Sequence, residues 1–125
     1  VHPRSGSTLT PINDKLYLYG GQDIASGMCH KDILVLDTAT WRWSRVQLAS
    51  GKQPPARHSH CSGRLADNSI MVFGGVGEQG HLDDVWVFNT EQRSWSAPSI
   101  AAAKPCAREM HSGTMLDTTT MLIYG

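Results

Sequence analysis

Apolar residues in this chain fall into short runs closed by glycine or by a polar turn, and no window of a dozen residues holds them at helical spacing. Three runs end alike: Leu16-Tyr17-Leu18-Tyr19 at Gly20-Gly21, Ile70-Met71-Val72-Phe73 at Gly74-Gly75, and Met121-Leu122-Ile123-Tyr124 at Gly125. Such runs read as strands, and a glycine at the strand end accepts positive φ and lets a neighbouring group come close. Two more runs, residues 33–36 and 85–88, are apolar on both faces, as strands held between neighbouring sheets are. Each is followed by a polar turn in which Asp37 or Asn89 can bond the backbone two residues on, and then by a strand carrying Trp43 or Trp95. Small-residue strands are expected ahead of the glycine-closed runs, over residues 5–10, 59–65 and 111–116. The Ala101-Ala102-Ala103 tract lies between Pro98 and Pro105 and gives no helix. The pattern predicts an all-β chain.

The pattern also repeats. Residues 31–44 lie over residues 83–96 without a gap, 52 residues later. An arginine beside small or polar residues leads each unit, at Arg4, Arg57 and Arg108. Arg57 and Arg108 stand 17 residues before their glycine, and Arg4 stands 16 before its own. The units run over 1–52, 53–104 and, in part, 105–125. A four-stranded unit of about 50 residues in tandem is the mark of a propeller blade. The arginine-led first strand, the Gly-Gly pairs, the Asp37 or Asn89 after the third strand and a Trp six residues on resemble kelch repeats over essentially the whole chain. The family's usual Tyr before that Asp or Asn is Leu36 in the first unit and Phe88 in the second, which keeps the packing and loses a phenol hydrogen bond. The resemblance implies kelch-type blades of four antiparallel strands within a larger, six-bladed β-propeller of about 310 residues. Propellers close with 4–8 blades, so the chain is expected to be a fragment of a longer protein. A β-sandwich is the alternative fold, weakened by the regular register. Gly20, Gly21, Gly74, Gly75, Gly125, Trp43, Trp95, Asp37 and Asn89 are the expected structural residues, with both Trp rings packed between blades.

Composition removes several functions. Eleven Lys and Arg balance eleven Asp and Glu, so there is no basic field for nucleic acid or an anionic membrane. Cys29, Cys61 and Cys106 are too few for a disulfide framework, which points to a reducing compartment, cytoplasmic or nuclear. His58-x-His60-Cys61 lacks the spacing of a metal site, and no metal or cofactor is expected. Residues 75–80 spell G-x-G-x-x-G, yet the next segment reads as a strand where a dinucleotide needs a helix N-terminus. No Ser lies in a nucleophile elbow. His60 and His111 fall 14 residues before their glycines, where the first unit has Gly6, and read as a recurrent polar position or as pH-tuned groups.

The strand-leading arginines are the main functional candidates. One guanidinium per blade at the same end of each sheet converges on a shallow bowl and suits carboxylates. The kelch resemblance carries a peptide-recognition role to Arg4, Ser5, Arg57, His58, Arg108 and Glu109. The competing reading is a salt bridge between blades to Asp32 or Asp84. The expected function is a protein-interaction scaffold or adaptor that binds a protein or peptide partner, an acidic one suiting the guanidinium groups, on the face bearing these arginines and the loops 22–30 and 76–82. The alternative is the propeller module of an enzyme, such as an oxidase, a sugar epimerase or an RNA-modifying methyltransferase, with its catalytic part outside this segment. Tyr17, Tyr19 and Tyr124 all belong to apolar strands and do not support a copper-radical centre.

Overall fold

The computed structural model describes residues 1–100 and 103–125, and these contain strands and no helix. The first sheet holds β1 (Thr8–Ile12), β2 (Lys15–Tyr19), β3 (Ile33–Asp37) and β4 (Arg42–Arg45) in sequential antiparallel order. The second holds β5 (Cys61–Arg64), β6 (Ser69–Phe73), β9 (Val85–Asn89) and β10 (Ser94–Ser96), with the small hairpin β7 (Val76–Gly77) and β8 (Gly80–His81) inserted between β6 and β9. A third unit begins with the pair β11 (Ser112–Met115) and β12 (Met121–Tyr124). These are two four-stranded blades and the first half of another. The non-helical reading of the alanine tract concerns Ala101 and Ala102, which lie outside the described residues.

The first strands start later than the small-residue pattern suggests. Ser5 makes only an isolated bridge to Gln22, and regular pairing begins at Thr8, opposite Tyr19. The cause is a left-handed residue ahead of each strand: Gly6, Ser59 and Met110 have φ of 66°, 56° and 55°, which interrupts extended backbone. Cys61 pairs with Phe73 and Ser112 with Tyr124, so Thr8, Cys61 and Ser112 are equivalent. His60 and His111 therefore correspond to Ser7 in the first unit, not to Gly6. The first hairpin turns through Asn13 and Asp14 alone, with Ile12 opposite Lys15. The second turns through Ala66, Asp67 and Asn68, closed by Leu65 N–H to Ser69 O at 2.8 Å. That extra residue is why Arg4 stands one position closer to its glycine than Arg57 does.

First strands of successive blades lie side by side, β1 against β5 and β5 against β11. Their close approach needs a small group on at least one side. Thr10 Oγ1 and Ser62 Oγ share a hydrogen bond of 2.8 Å across the first pair, and a Cβ on Gly113 would come within 2.5 Å of Cys61 Sγ across the second. Farther out the blades separate and large side chains fill the gap: Ile12, Tyr19, Ile33, Ile70, Val72, Phe88 and Trp95 form one buried cluster. Trp95, on the outermost strand of the second blade, reaches Tyr19 of the first with ring centroids 4.9 Å apart, and lies 5.2 Å from Phe88. Burying one such ring contributes roughly 4–6 kcal/mol of gross apolar transfer. Trp43 occupies the same position in the first blade and is 41% exposed, against 8% for Trp95.

The first glycine of each pair lies under the next blade, at Arg57 and His60 for Gly20 and at Arg108 and His111 for Gly74, and the second lies against the segment that leads its own first strand. Gly75 has φ +93°, and a Cβ there would stand 2.6 Å from His58 O and 2.9 Å from His60 Cβ. Both facts forbid a side chain. Gly75→Val in the intact protein should abolish soluble expression or lower the melting temperature by many degrees, measured by calorimetry, and an unchanged melting temperature would contradict this packing.

Candidate partner-binding face

The loops that follow the second strands, the links between blades and the arginine-led turns all gather at one end of the sheets. Arg57 is the most deeply placed of these residues, with no exposed surface. Its Nη1 donates to Asp84 Oδ1 at 2.6 Å and to Gly74 O at 2.9 Å, its Nη2 to Asp84 Oδ2 at 2.7 Å, and its Nε to Pro55 O at 3.3 Å. Asp84 also accepts Trp86 Nε1–H at 2.8 Å. Arg4 repeats the arrangement with Gly20 O at 3.1 Å and Asp32 Oδ1 at 2.7 Å, and Arg45 adds a contact of 3.2 Å to Asp32 Oδ2. Arg108 Nη1 donates to Gly125 O at 2.7 Å and its Nε to Cys106 O at 3.1 Å. Arginine and aspartate belong to the same unit in both complete cases, so each pair ties one blade together and does not bridge two. Burial would raise both carboxyls, but the Arg57 hydrogen bond and charge hold Asp84 below the usual carboxylate range, and Arg4 does the same for Asp32.

The next positions stitch blade to blade. Ser59 N–H donates to Gly6 O at 2.7 Å, and Met110 N–H donates to Ser59 O at 3.0 Å. The left-handed conformation aims the amide at the preceding turn, at a cost of roughly 1 kcal/mol or more where the residue is not glycine. Gly21 N–H to Arg57 O at 2.8 Å and Gly75 N–H to Arg108 O at 2.9 Å make a second row. His60 lies just inside. Its Nε2 shares a hydrogen bond of 2.9 Å with Thr8 Oγ1, and its ring stands edge-on to Tyr19 at 5.1 Å. Burial, with the charge of Arg57 and the neighbouring histidines, pushes its pKa down to about 3. His111 packs the same way on Phe73 at 5.3 Å and is also lowered, mainly by burial.

Of the six residues expected to face a partner, Arg57 presents no surface and the Arg4 side chain is 5% exposed. Ser5 is exposed, and His58, Arg108 and Glu109 are partly so. His58 exchanges both backbone bonds with Val76 at 3.0 Å, and Glu109 Oε1 meets His81 Nε2 at 3.1 Å, so the turns are joined to the 76–82 loop. The G-x-G-x-x-G segment runs through β7 and β8 into β9. In the other loop, Asp23 Oδ1 accepts from Ser26 N–H at 2.8 Å, and Gln22 Nε2 donates to Gly27 O at 2.9 Å. Between the loops lies a cleft of about 690 Å³ walled by Met28, Cys29, Pro55, Ala56 and Leu82, with Glu78 at its side. Sequence reasoning named the loops but not this cleft, because its walls come from three segments with no common spacing.

Residues 1–125 match the KLHDC2/KLHL20/DRC7 Kelch-repeats domain. The chain belongs to the kelch-repeat family. It is 29% identical to the dynein alpha chain of the flagellar outer arm of Chlamydomonas reinhardtii, over 98% of this chain and 3% of that protein. It is 27% identical to acyl-CoA-binding domain-containing protein 4 of Arabidopsis thaliana, over 98% of this chain and 18% of that protein. It is 29% identical to host cell factor of Drosophila melanogaster, over 98% of this chain and 9% of that protein. The chain thus spans a small part of each of these relatives. Kelch-repeat domains generally serve protein–protein interaction.

The buried pair at the head of a kelch blade sets two expectations for the intact protein. Arg57→Ala leaves Asp84 half-buried and uncompensated and should cost about 3 kcal/mol in urea unfolding, whereas adding Asp84→Asn should recover part of that loss. For His60 the folded pKa is depressed below its unfolded value near 6.5, so its stabilisation is complete above pH 6.5 and is lost as pH falls toward 3. Stability should drop between pH 7 and pH 5 by up to about 1.4 kcal/mol per pH unit from this group. That window lies above the range in which Asp32 and Asp84 titrate. His60→Gln should flatten the slope, as read from unfolding curves at the two pH values.

Proposed function

We propose that this kelch domain docks a protein partner on the face formed by the turns of Arg4, Arg57 and Arg108 and the loops 22–30 and 76–82, as part of a closed ring of such blades. The observation that carries the reading is the cleft of about 690 Å³ between those loops, walled mainly by the apolar side chains of Met28, Cys29, Pro55, Ala56 and Leu82. Met28 in its wall is 59% exposed, Ile24 of the same loop is 78% exposed, and Met110 at 81% lies on the same end of the sheets. The opposite end is built of tight turns whose side chains are occupied by their own backbone. Asp37 Oδ1 accepts from Ala39 N–H at 2.9 Å, and Asn89 Oδ1 from Gln92 N–H at 2.8 Å. The ring is supported by the open apolar faces on either side: Trp43 on one, and Leu122 and Tyr124, 55% and 80% exposed, on the other. Each is where a neighbouring blade would supply what Tyr19 and Trp95 supply to each other.

A photo-crosslinking residue placed at Gln79 in the intact protein should capture a partner in cells, and one placed at Glu91 on the opposite turns should not. The reverse pattern would place the docking surface at the other end.

A further inference from the structure

The face carries less positive charge than its arginines suggest. Arg4 and Arg57 are neutralised inside their own blades by Asp32 and Asp84, and Arg108, which keeps its charge, turns its guanidinium to Gly125 O and Cys106 and does not line the cleft. Lys104 is paired with Asp83 at 3.0 Å, and Lys31, the exposed cation nearest in the first loop, does not line the cleft. Glu78 is the one charged group among the lining residues, it is exposed, and it has no salt bridge among the described residues. Its charge reaches into the cleft: the Cys29 thiol opposite is pushed up first by burial and then by Glu78. Asp23, in the facing loop, is held ionised by its hydrogen bonds to Ser26. An apolar cleft with an acidic side favours a cation whose hydrocarbon stem can cover the walls.

We propose that the cleft between the first two blades receives a partner segment that sets a lysine or arginine beside a leucine- or methionine-sized side chain. The apolar residue fills the space between Met28, Cys29 and Leu82, and the cation lies along Pro55 and Ala56 with its head at Glu78. The selectivity is for basic over acidic sequences, contrary to what exposed guanidinium groups would give. This rests on the loop face being the docking face.

The test is to pan a random phage-displayed peptide library against the intact protein and against its Glu78→Lys variant, then measure the enriched peptides by fluorescence anisotropy. Sequences with Lys or Arg next to Leu, Met or Phe should enrich on the wild type, crosslink from a photoreactive residue at Gln79, and bind Glu78→Lys about tenfold more weakly. Melting temperature should be unchanged, since Glu78 is exposed. Peptides that crosslink at Gln79 but lack a basic residue, are rich in Asp or Glu, or bind Glu78→Lys equally well overturn this inference and leave the docking face standing. Crosslinks confined to a photoreactive residue at Glu91, or no enrichment at all, overturn both.

Discussion

The guanidinium of Arg57 lies where three segments of its own blade come together: the link at Pro55, the end of the second strand at Gly74 and the start of the third at Asp84. A cation without exposed surface is tolerable only with a carboxylate and carbonyls around it, so this position fixes where those segments must be. Asp84 has to precede β9 immediately, and the Gly74 carbonyl has to turn back toward the sheet, which its φ of +66° allows. The same demands recur around Arg4, with Gly20 and Asp32. The loop that leaves the second strand is thereby pinned at both ends, whatever happens between them.

That pinning explains how blades with different details keep one stacking geometry. The first hairpin is a residue shorter than the second, yet the difference is absorbed in the turn at the far end of the sheet. At the arginine end, the glycine amides still meet the carbonyls of Arg57 and Arg108, and the left-handed residues still bond in series from Gly6 through Ser59 to Met110. Non-glycine residues at Ser59 and Met110 bear conformational strain for this. The contact they complete runs between backbones, so Gly, Ser and Met occupy equivalent sites, although at Gly6 a Cβ would stand only 2.8 Å from Ser59 N.

The fold was legible because its strongest signals are those of backbone and burial. Glycine pairs, continuous apolar third strands and a tryptophan at constant spacing survive in any unit that must bury both faces, and they mark the blades without reference to the loops. The arginine was legible as a position but not as a role, since periodicity says that a side chain recurs at one end of a sheet and not whether it points out or in. The aspartates named as its alternative partners were the right ones, and only their placement between blades was wrong: an aspartate follows at 28 residues from Arg4 and 27 from Arg57, just ahead of each third strand of the same unit. An acid that recurs in step with the arginine is the mark of a pair within the unit. His60 was misaligned with Gly6 because counting back from glycine carries the hairpin's extra residue into the comparison. The cleft had no signal of this kind, because Met28, Pro55 and Leu82 come from segments that meet only through the stacking of one blade on the next.

A consequence for recognition follows from where the charges are used. Each of the two complete blades keeps its leading arginine and a matching aspartate for its own cohesion, so these repeated positions offer a partner almost no net charge. On the proposed docking face, selectivity would then fall to residues of the loops, whose ends alone are fixed by Gly20 with Asp32 and by Gly74 with Asp84. In this chain the second loop places one carboxylate against an apolar wall contributed partly by the first blade. A site of that form needs two adjacent blades and exists in neither alone.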